Sequence, residues 1–274
     1  MGSATSRPNL STGKDAHLFS PFREVLAICE KELRSMKHSP WDRLLQLVRP
    51  MIWLVLFGSA GAAIIHFSAP TGANYQQFML PGILLNTVLV TSVSYGINLK
   101  WEFDLGILNR MLVAPISRFS IAIGKALSPV FSSLLESVVF LVFASLIGVN
   151  FSHNIFAFLL SAGMIVLFSV GTASLGMIFA IILKSREAYA GVVGLVSLPS
   201  LFASNSLFSL NQMPLWMQLL ARINPVTYGV DFVRQILVYG SFDPFLLLKD
   251  FLVVVASTLI LLSLVVALFQ RIEH

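Results

Sequence analysis

The chain has 274 residues, of which 56% are hydrophobic and only 11% charged, and its mean hydropathy is +0.83. Soluble domains carry roughly 25% charged residues, so this composition excludes an ordinary soluble enzyme and a disordered chain. The single Cys29 excludes a disulfide-stapled module and a multi-cysteine metal cage. A net charge of +5 on so apolar a chain points to basic loops held at the cytoplasmic face of a bilayer, with no nucleic acid involved.

Residues 1–15 are polar and read as a mobile cytoplasmic tail, without the short apolar core of a signal peptide. Residues 16–49 read as an amphipathic helix and linker. From Pro21 to His38 the apolar Phe22, Val25, Leu26, Cys29, Leu33 and Met36 fall on one helical stripe. Such a helix either lies in the headgroup plane beside anionic lipid or packs on a soluble partner. Residues 50–274 form the membrane domain, with apolar runs at Met51–Phe67, Phe78–Leu99, Ala126–Val149, Ile155–Leu183, Ala188–Phe208 and Phe251–Phe269. Each matches the roughly 20 residues that a spanning helix needs, so six transmembrane helices are predicted. Pro50 is expected at the first helical position of the first span. The fifth span is interrupted by Pro199 and by the polar Ser204, Asn205 and Ser206. Gly58, Ala62, Gly163, Gly171 and Gly176 allow close helix contact.

Three segments depart from plain spans and loops. Lys100–Lys125 reads as a loop with a short helix carrying Trp101, Leu105, Leu108 and Leu112 on one side and ended by Pro115. Glu102, Asp104, Asn109 and Arg110 supply polar contacts around it; it is either a docking element or a solvated loop. Asn211–Gly240 holds two apolar pieces too short to cross, separated by the turn signal Asn224–Pro225. In the second piece Val226, Val230, Val233 and Leu237 share a stripe, and Asp231 and Arg234 stand three apart, able to pair. The two pieces form either a re-entrant hairpin lining a pathway or a helix on the outer surface. Glu136, inside the third span, is a pathway residue or a carboxylate hydrogen-bonded across helices.

Lysine and arginine set the orientation. Fifteen lie on the side of the N-terminal segment and three on the other, which places both termini in the cytoplasm. Trp41, Trp53, Trp101 and Trp216 sit near span ends, where indole rings favour the headgroup region. No catalytic or metal constellation is present in the sequence. The five histidines form no paired-ligand pattern, there is no nucleophile elbow, and Gly13–Lys14 lacks the rest of a phosphate loop. The chain is therefore not expected to be an enzyme or to hold a cofactor.

From Phe22 onward the sequence resembles the permease subunits of the ABC-2 type export family, of the drug-efflux-like kind. The resemblance rests on Glu102–Pro115, "EFDLGILNRMLVAP", and Ile223–Leu237, "INPVTYGVDFVRQIL", with "NSLFSLNQMPLWMQLLARINP" upstream of the latter. Glu102 and Gly106 match the family's acidic loop pattern, while Phe103, Asp104 and Ile107 depart from it. The resemblance implies an all-α polytopic protein that works as a homodimer, with each copy bound to a separate ATP-binding subunit carrying Mg-ATP. It implies that Phe22–Met36 is an interface helix. It also implies a coupling helix over Glu102–Val113, for which Glu102, Asp104, Leu105, Gly106, Leu108, Arg110 and Pro115 are the candidate residues. Asn224, Pro225, Asp231 and Arg234 of the external hairpin, with Glu136, are the candidate pathway and gate residues. The substrate class implied is an amphipathic or lipid-linked molecule, exported across a bacterial inner membrane or a plastid membrane. A stand-alone channel, a secondary transporter and a non-transporting membrane scaffold are the competing readings.

Overall fold

The first described helix contains two prolines. In the computed structural model, which describes residues 40–64, 74–106, 118–152, 154–183, 185–240 and 243–271, helix α1 spans Pro40–Ile64. Pro40 takes the first helical position that was expected for Pro50, and Pro50 lies inside the helix. The segment between them is rich in leucine and arginine, good helix formers, so nothing stops the helix before the apolar run. Pro50 has no N–H to give to the carbonyl one turn back, that of Gln46.

Helix α2, Tyr75–Ser94, and helix α3, Gly96–Asp104, are separated only by a turn at Tyr95. Together they form one apolar element, longer at both ends than the expected second span. At its start the Asn74 N–H donates to Gln77 Oε1 at 2.7 Å, which satisfies an orphan donor of the first turn. Gly106 adopts φ +67°, the left-handed conformation that closes a helix. The helix bearing Trp101 therefore ends at Asp104, and Leu105 lies past its end, while Leu112 lies outside the described residues. Arg118–Lys125, expected as loop, belongs to α4, Arg118–Leu146. The expected interface helix and the candidates Leu108, Arg110 and Pro115 lie outside the described residues.

Helix α5 runs Ile155–Ile182 and is capped by Asn154, whose Oδ1 accepts from the Phe156 N–H at 3.0 Å. Helix α6 covers Arg186–Phe202 and is capped by Ser185, whose Oγ accepts from the Ala188 N–H. It passes through Pro199 and stops before the turn containing Ser204, Asn205 and Ser206. The polar stretch, and not the proline, ends it. Its 17 residues reach roughly 26 Å at about 1.5 Å per residue, just short of the hydrocarbon thickness. Two short helices follow, α7 at Leu215–Ile223 and α8 at Pro225–Arg234, then a π turn over Gln235–Tyr239 closed by Gly240 at φ +59°. Helix α9, Pro244–Arg271, is the last element.

Among the described residues four elements are long and apolar enough to cross a membrane: α2 with α3, α4, α5 and α9. Helix α5 packs against α2, α4 and α9. The most apolar stretch of α2–α3 is 72% buried and that of α9 only 17%, so α2–α3 is the core of the bundle and α9 its outer wall. Close contacts use small residues. A Cβ on Gly96 would overlap Tyr189 Oη and meet the Gly176 carbonyl oxygen at 2.5 Å, and one on Gly171 would meet Thr258 Oγ1 at 2.6 Å. Gly163, expected in such a contact, has open space beside it.

Candidate functional site

The polar residues of the bundle collect at three levels. At the end of α3, Lys125 Nζ of α4 lies 2.7 Å from Glu102 Oε2, with both side chains largely buried. Asp104 Oδ2 is 3.0 Å from Arg186 Nε at the start of α6, and Lys100 Nζ is 3.4 Å from Asp104 Oδ1. The Arg186 guanidinium also stacks over the Trp101 ring at 3.4 Å. Two carboxylates expected to face a partner are thus bound to neighbouring helices of the same chain. These two contacts tie the end of α3 to α4 and α6. Tyr189 adds a third link, its hydroxyl donating to the carbonyls of Val93 and Gly176.

In the middle of the bundle Thr91 Oγ1 donates to Glu136 Oε2 at 2.5 Å, so the carboxylate is hydrogen-bonded across α2 and α4. Beside it the hydroxyls of Ser92, Ser133 and Ser169 meet at 2.8–3.2 Å, joining α2, α4 and α5. This polar seam holds three helices together where an apolar contact would leave them free to slide. On the other side of α2 a cleft opens between α1, α2 and α6. Arg49, Trp53, Asn86, Thr91, Ser197 and Leu201 are among the residues that line it. Asn86 Nδ2 donates to the Ser197 carbonyl at 3.1 Å, fixing α6 to α2 at its back wall.

At the third level the sequence-predicted hairpin is anchored from below. Asn224 caps α8, its Oδ1 accepting from the Val226 N–H at 3.1 Å, and Pro225 follows at the first helical position. The same Asn224 donates through Nδ2 to the Ala203 carbonyl at 3.0 Å, tying the hairpin to the end of α6. Val226, Val230, Val233 and Leu237 are all buried, as their stripe predicts. Asp231 and Arg234 pair at 3.0 Å. Arg234 is 2% exposed and donates to the Phe78 carbonyl of α2 and to the Asn205 carbonyl after α6. Asn205 Nδ2 in turn donates to Asp231 Oδ1. Helix α7 differs: Leu215, Trp216, Leu219 and Ile223 are exposed and Ala221 is its one buried residue.

Asn224, Pro225, Asp231 and Arg234 therefore belong to one joint, while Glu136 stands apart in the seam behind Thr91. Sequence reasoning did not single out Arg49, Asn86, Thr91, Asn205, Lys125 or Arg186 as site residues. A polar residue interrupting an apolar run was the signal available for Asn86, Thr91 and Asn205.

The family model described as ABC-2 type transporter matches residues 23–238. The chain is 31% identical to the transport permease ycf38 of Porphyra purpurea over 224 residues, 81% of this chain and 75% of that one. To the corresponding protein of Cyanophora paradoxa it is 28% identical over 240 residues, 86% and 81% of the two chains. It is 26% identical to the daunorubicin resistance ABC transporter permease protein DrrB1 of Streptomyces coeruleorubidus, over 86% of this chain and 79% of that one.

Proposed function

The chain belongs to the ABC-2 type transporter family, as a multi-pass membrane subunit of an ABC transporter, and from this premise we propose that it is the permease of an ATP-driven exporter. Two copies form the substrate pathway, and each binds a separate ATP-binding subunit that carries the Mg-ATP. The spans are α1, α2–α3, α4, α5, α6 and α9, with the segments before α1 and after α9 in the cytoplasm. The distribution of lysine and arginine supports that orientation. A bacterial inner membrane is the location this reading adopts.

The observation that carries the reading is the bracing of α3. The segment from Glu102 to Pro115 is the proposed coupling element, and its near end is tied to α4 by Glu102–Lys125 and to α6 by Asp104–Arg186. Closure of the ATP-binding subunits displaces the segment, and the two ion pairs pass that displacement to helices on both sides of α2. Helix α6 borders the cleft and carries the Asn205 turn at its far end. The same movement therefore reaches both the cleft wall and the Arg234 joint, which we assign to the external gate. The apolar walls of the cleft suit an amphipathic or lipid-linked molecule, and the DrrB1 relative is named for drug resistance.

The test is to purify the tagged chain in mild detergent and identify what accompanies it. An ATP-binding subunit in one-to-one ratio is expected, and a clean oligomer without one, before and after cross-linking in the membrane, would refute the exporter reading. Replacing Gly106 and Leu108 together by Asp is expected to abolish transport while ATP hydrolysis and membrane insertion persist. Unchanged transport in that variant would remove the segment from the coupling path.

A further inference from the structure

The cleft between α1, α2 and α6 has an uneven chemistry. On the α1 side the exposed side chains of Arg49 and Gln46 line it, and among the described residues neither side chain makes a hydrogen bond or ion pair. Among the described residues no acidic side chain lines the cleft. Arg49 stands at the cytoplasmic edge of the apolar run that begins at Met51. A guanidinium held at that depth is stabilised by an anion, and its planar fork matches a phosphate.

The α2 side is the opposite. Thr87 Oγ1 donates its proton to the Ile83 carbonyl at 2.8 Å, and Thr91 Oγ1 donates its own to Glu136. With their protons committed, both oxygens have only lone pairs left for the cleft. The Asn86 amide is fixed by its bond to Ser197, leaving Oδ1 as an acceptor. Trp53, Ile83, Val90, Leu198 and Leu201 complete the lining with apolar surface. The cleft thus combines a cationic donor at one wall, a row of acceptors at the other and an apolar length between and beyond them.

We propose that this cleft binds an amphiphile whose headgroup joins a phosphate, held by Arg49, to neighbouring hydroxyl groups that donate to Asn86, Thr87 and Thr91. The inference rests on the reading of the cleft as part of the substrate pathway, and it adds the chemistry of the molecule that enters. A phosphate-bearing polyol headgroup satisfies both walls. A cationic amphiphile satisfies only the acceptor wall and leaves Arg49 facing a like charge. A choline phospholipid reaches Arg49 but has no headgroup hydroxyl for the second wall.

The experiment is competition binding on the full chain in dodecyl maltoside, with a fluorescent lysophosphatidylglycerol displaced by unlabelled probes. Lysophosphatidylglycerol is expected to compete at least tenfold better than dodecylphosphocholine, dodecyltrimethylammonium or inorganic phosphate. Arg49→Gln should weaken lysophosphatidylglycerol by about tenfold, the scale of a lost hydrogen bond to a charged group, and Arg49→Lys, which keeps the charge but not the planar fork, should restore only part of that loss. Thr87→Val should lower affinity for lysophosphatidylglycerol several-fold while leaving dodecyl phosphate unchanged.

Equal affinity of wild type and Arg49→Gln overturns the proposal, as does equal competition by the cationic probe. Inorganic phosphate competing as well as the lipid makes this a free-anion site and also overturns it. Failure here is separable from failure of the exporter reading. Selective binding without ATP-driven transport leaves the site and removes the exporter. ATP-driven transport that is indifferent to Arg49→Gln leaves the exporter and removes the site.

Discussion

Arg234 and Phe78 meet twice. The guanidinium donates through Nε and Nη2 to the Phe78 carbonyl at 3.2 and 3.1 Å, and it lies 3.9 Å from the centre of the Phe78 ring. A residue of α8 thereby grips both the backbone and the side chain of α2. The grip uses the planarity of arginine, which lysine lacks. Arg234→Ala is expected to destabilise the protein by about 3–5 kcal/mol, because Asp231 loses its cation and two carbonyls lose a donor. Arg234→Lys should keep the charge but lose part of that stability and loosen the hairpin. Thermal unfolding in detergent measures the first effect. Labelling of a cysteine at Gln212 by an impermeant maleimide, with Cys29 replaced by serine, measures the second.

The Gly96 contact is set by backbone on one side and a phenol on the other. Gly96→Ala places a methyl against both, and the expected loss is about 1–3 kcal/mol through overpacking. Tyr189→Phe removes only one of the two obstructions, so the double variant should remain destabilised. Gly191→Ala and Gly194→Ala in α6 meet nothing within 4 Å and should leave the melting temperature nearly unchanged. Equal behaviour of all four single variants would contradict the packing of α3 on α5 and α6.

The two ion pairs at the end of α3 differ in burial and should differ in consequence. Glu102 and Lys125 are 13% and 6% exposed, so losing one partner strands a buried charge, an effect of about 3–5 kcal/mol. Asp104 and Arg186 are 34% and 32% exposed, and Arg186→Ala should cost about 1 kcal/mol or less. The charge swap Glu102→Lys with Lys125→Glu should recover part of the loss seen in either single variant. Folded yield after detergent extraction, followed by thermal unfolding, distinguishes these outcomes.

Glu136 accepts a proton bond from Thr91, and glutamine offers the same acceptor. Glu136→Gln is therefore expected to stay close to wild type in stability and transport, while Glu136→Ala loses about 1–3 kcal/mol by stranding the Thr91 hydroxyl. An equal loss of transport in both variants would show that the negative charge itself is required.

What the sequence by itself determined is the class and the position of most helices. Those follow from local quantities: the length of an apolar run and the spacing of valines in α8. The hairpin was legible for the same reason, since Asn224–Pro225 is a turn signal and Asp231 and Arg234 are one helical turn apart. Proline was the less reliable guide. Pro50 and Pro199 both lie inside helices, because flanking packing compensates for one missing backbone bond.

Only the tertiary structure decided which polar residues meet. Glu102 and Lys125 are 23 residues apart, Asp104 and Arg186 are 82 apart, and Arg234 finds Phe78 across 156. No periodicity along the chain encodes such distances. An isolated polar residue in an apolar span reads the same whether it faces a seam, a joint or a cleft. The packing of neighbouring helices chooses among these by the free-energy penalty of leaving the group unpaired. That is why Glu136 was found without its partner Thr91, and why the cleft around Arg49 was invisible until α1, α2 and α6 stood side by side.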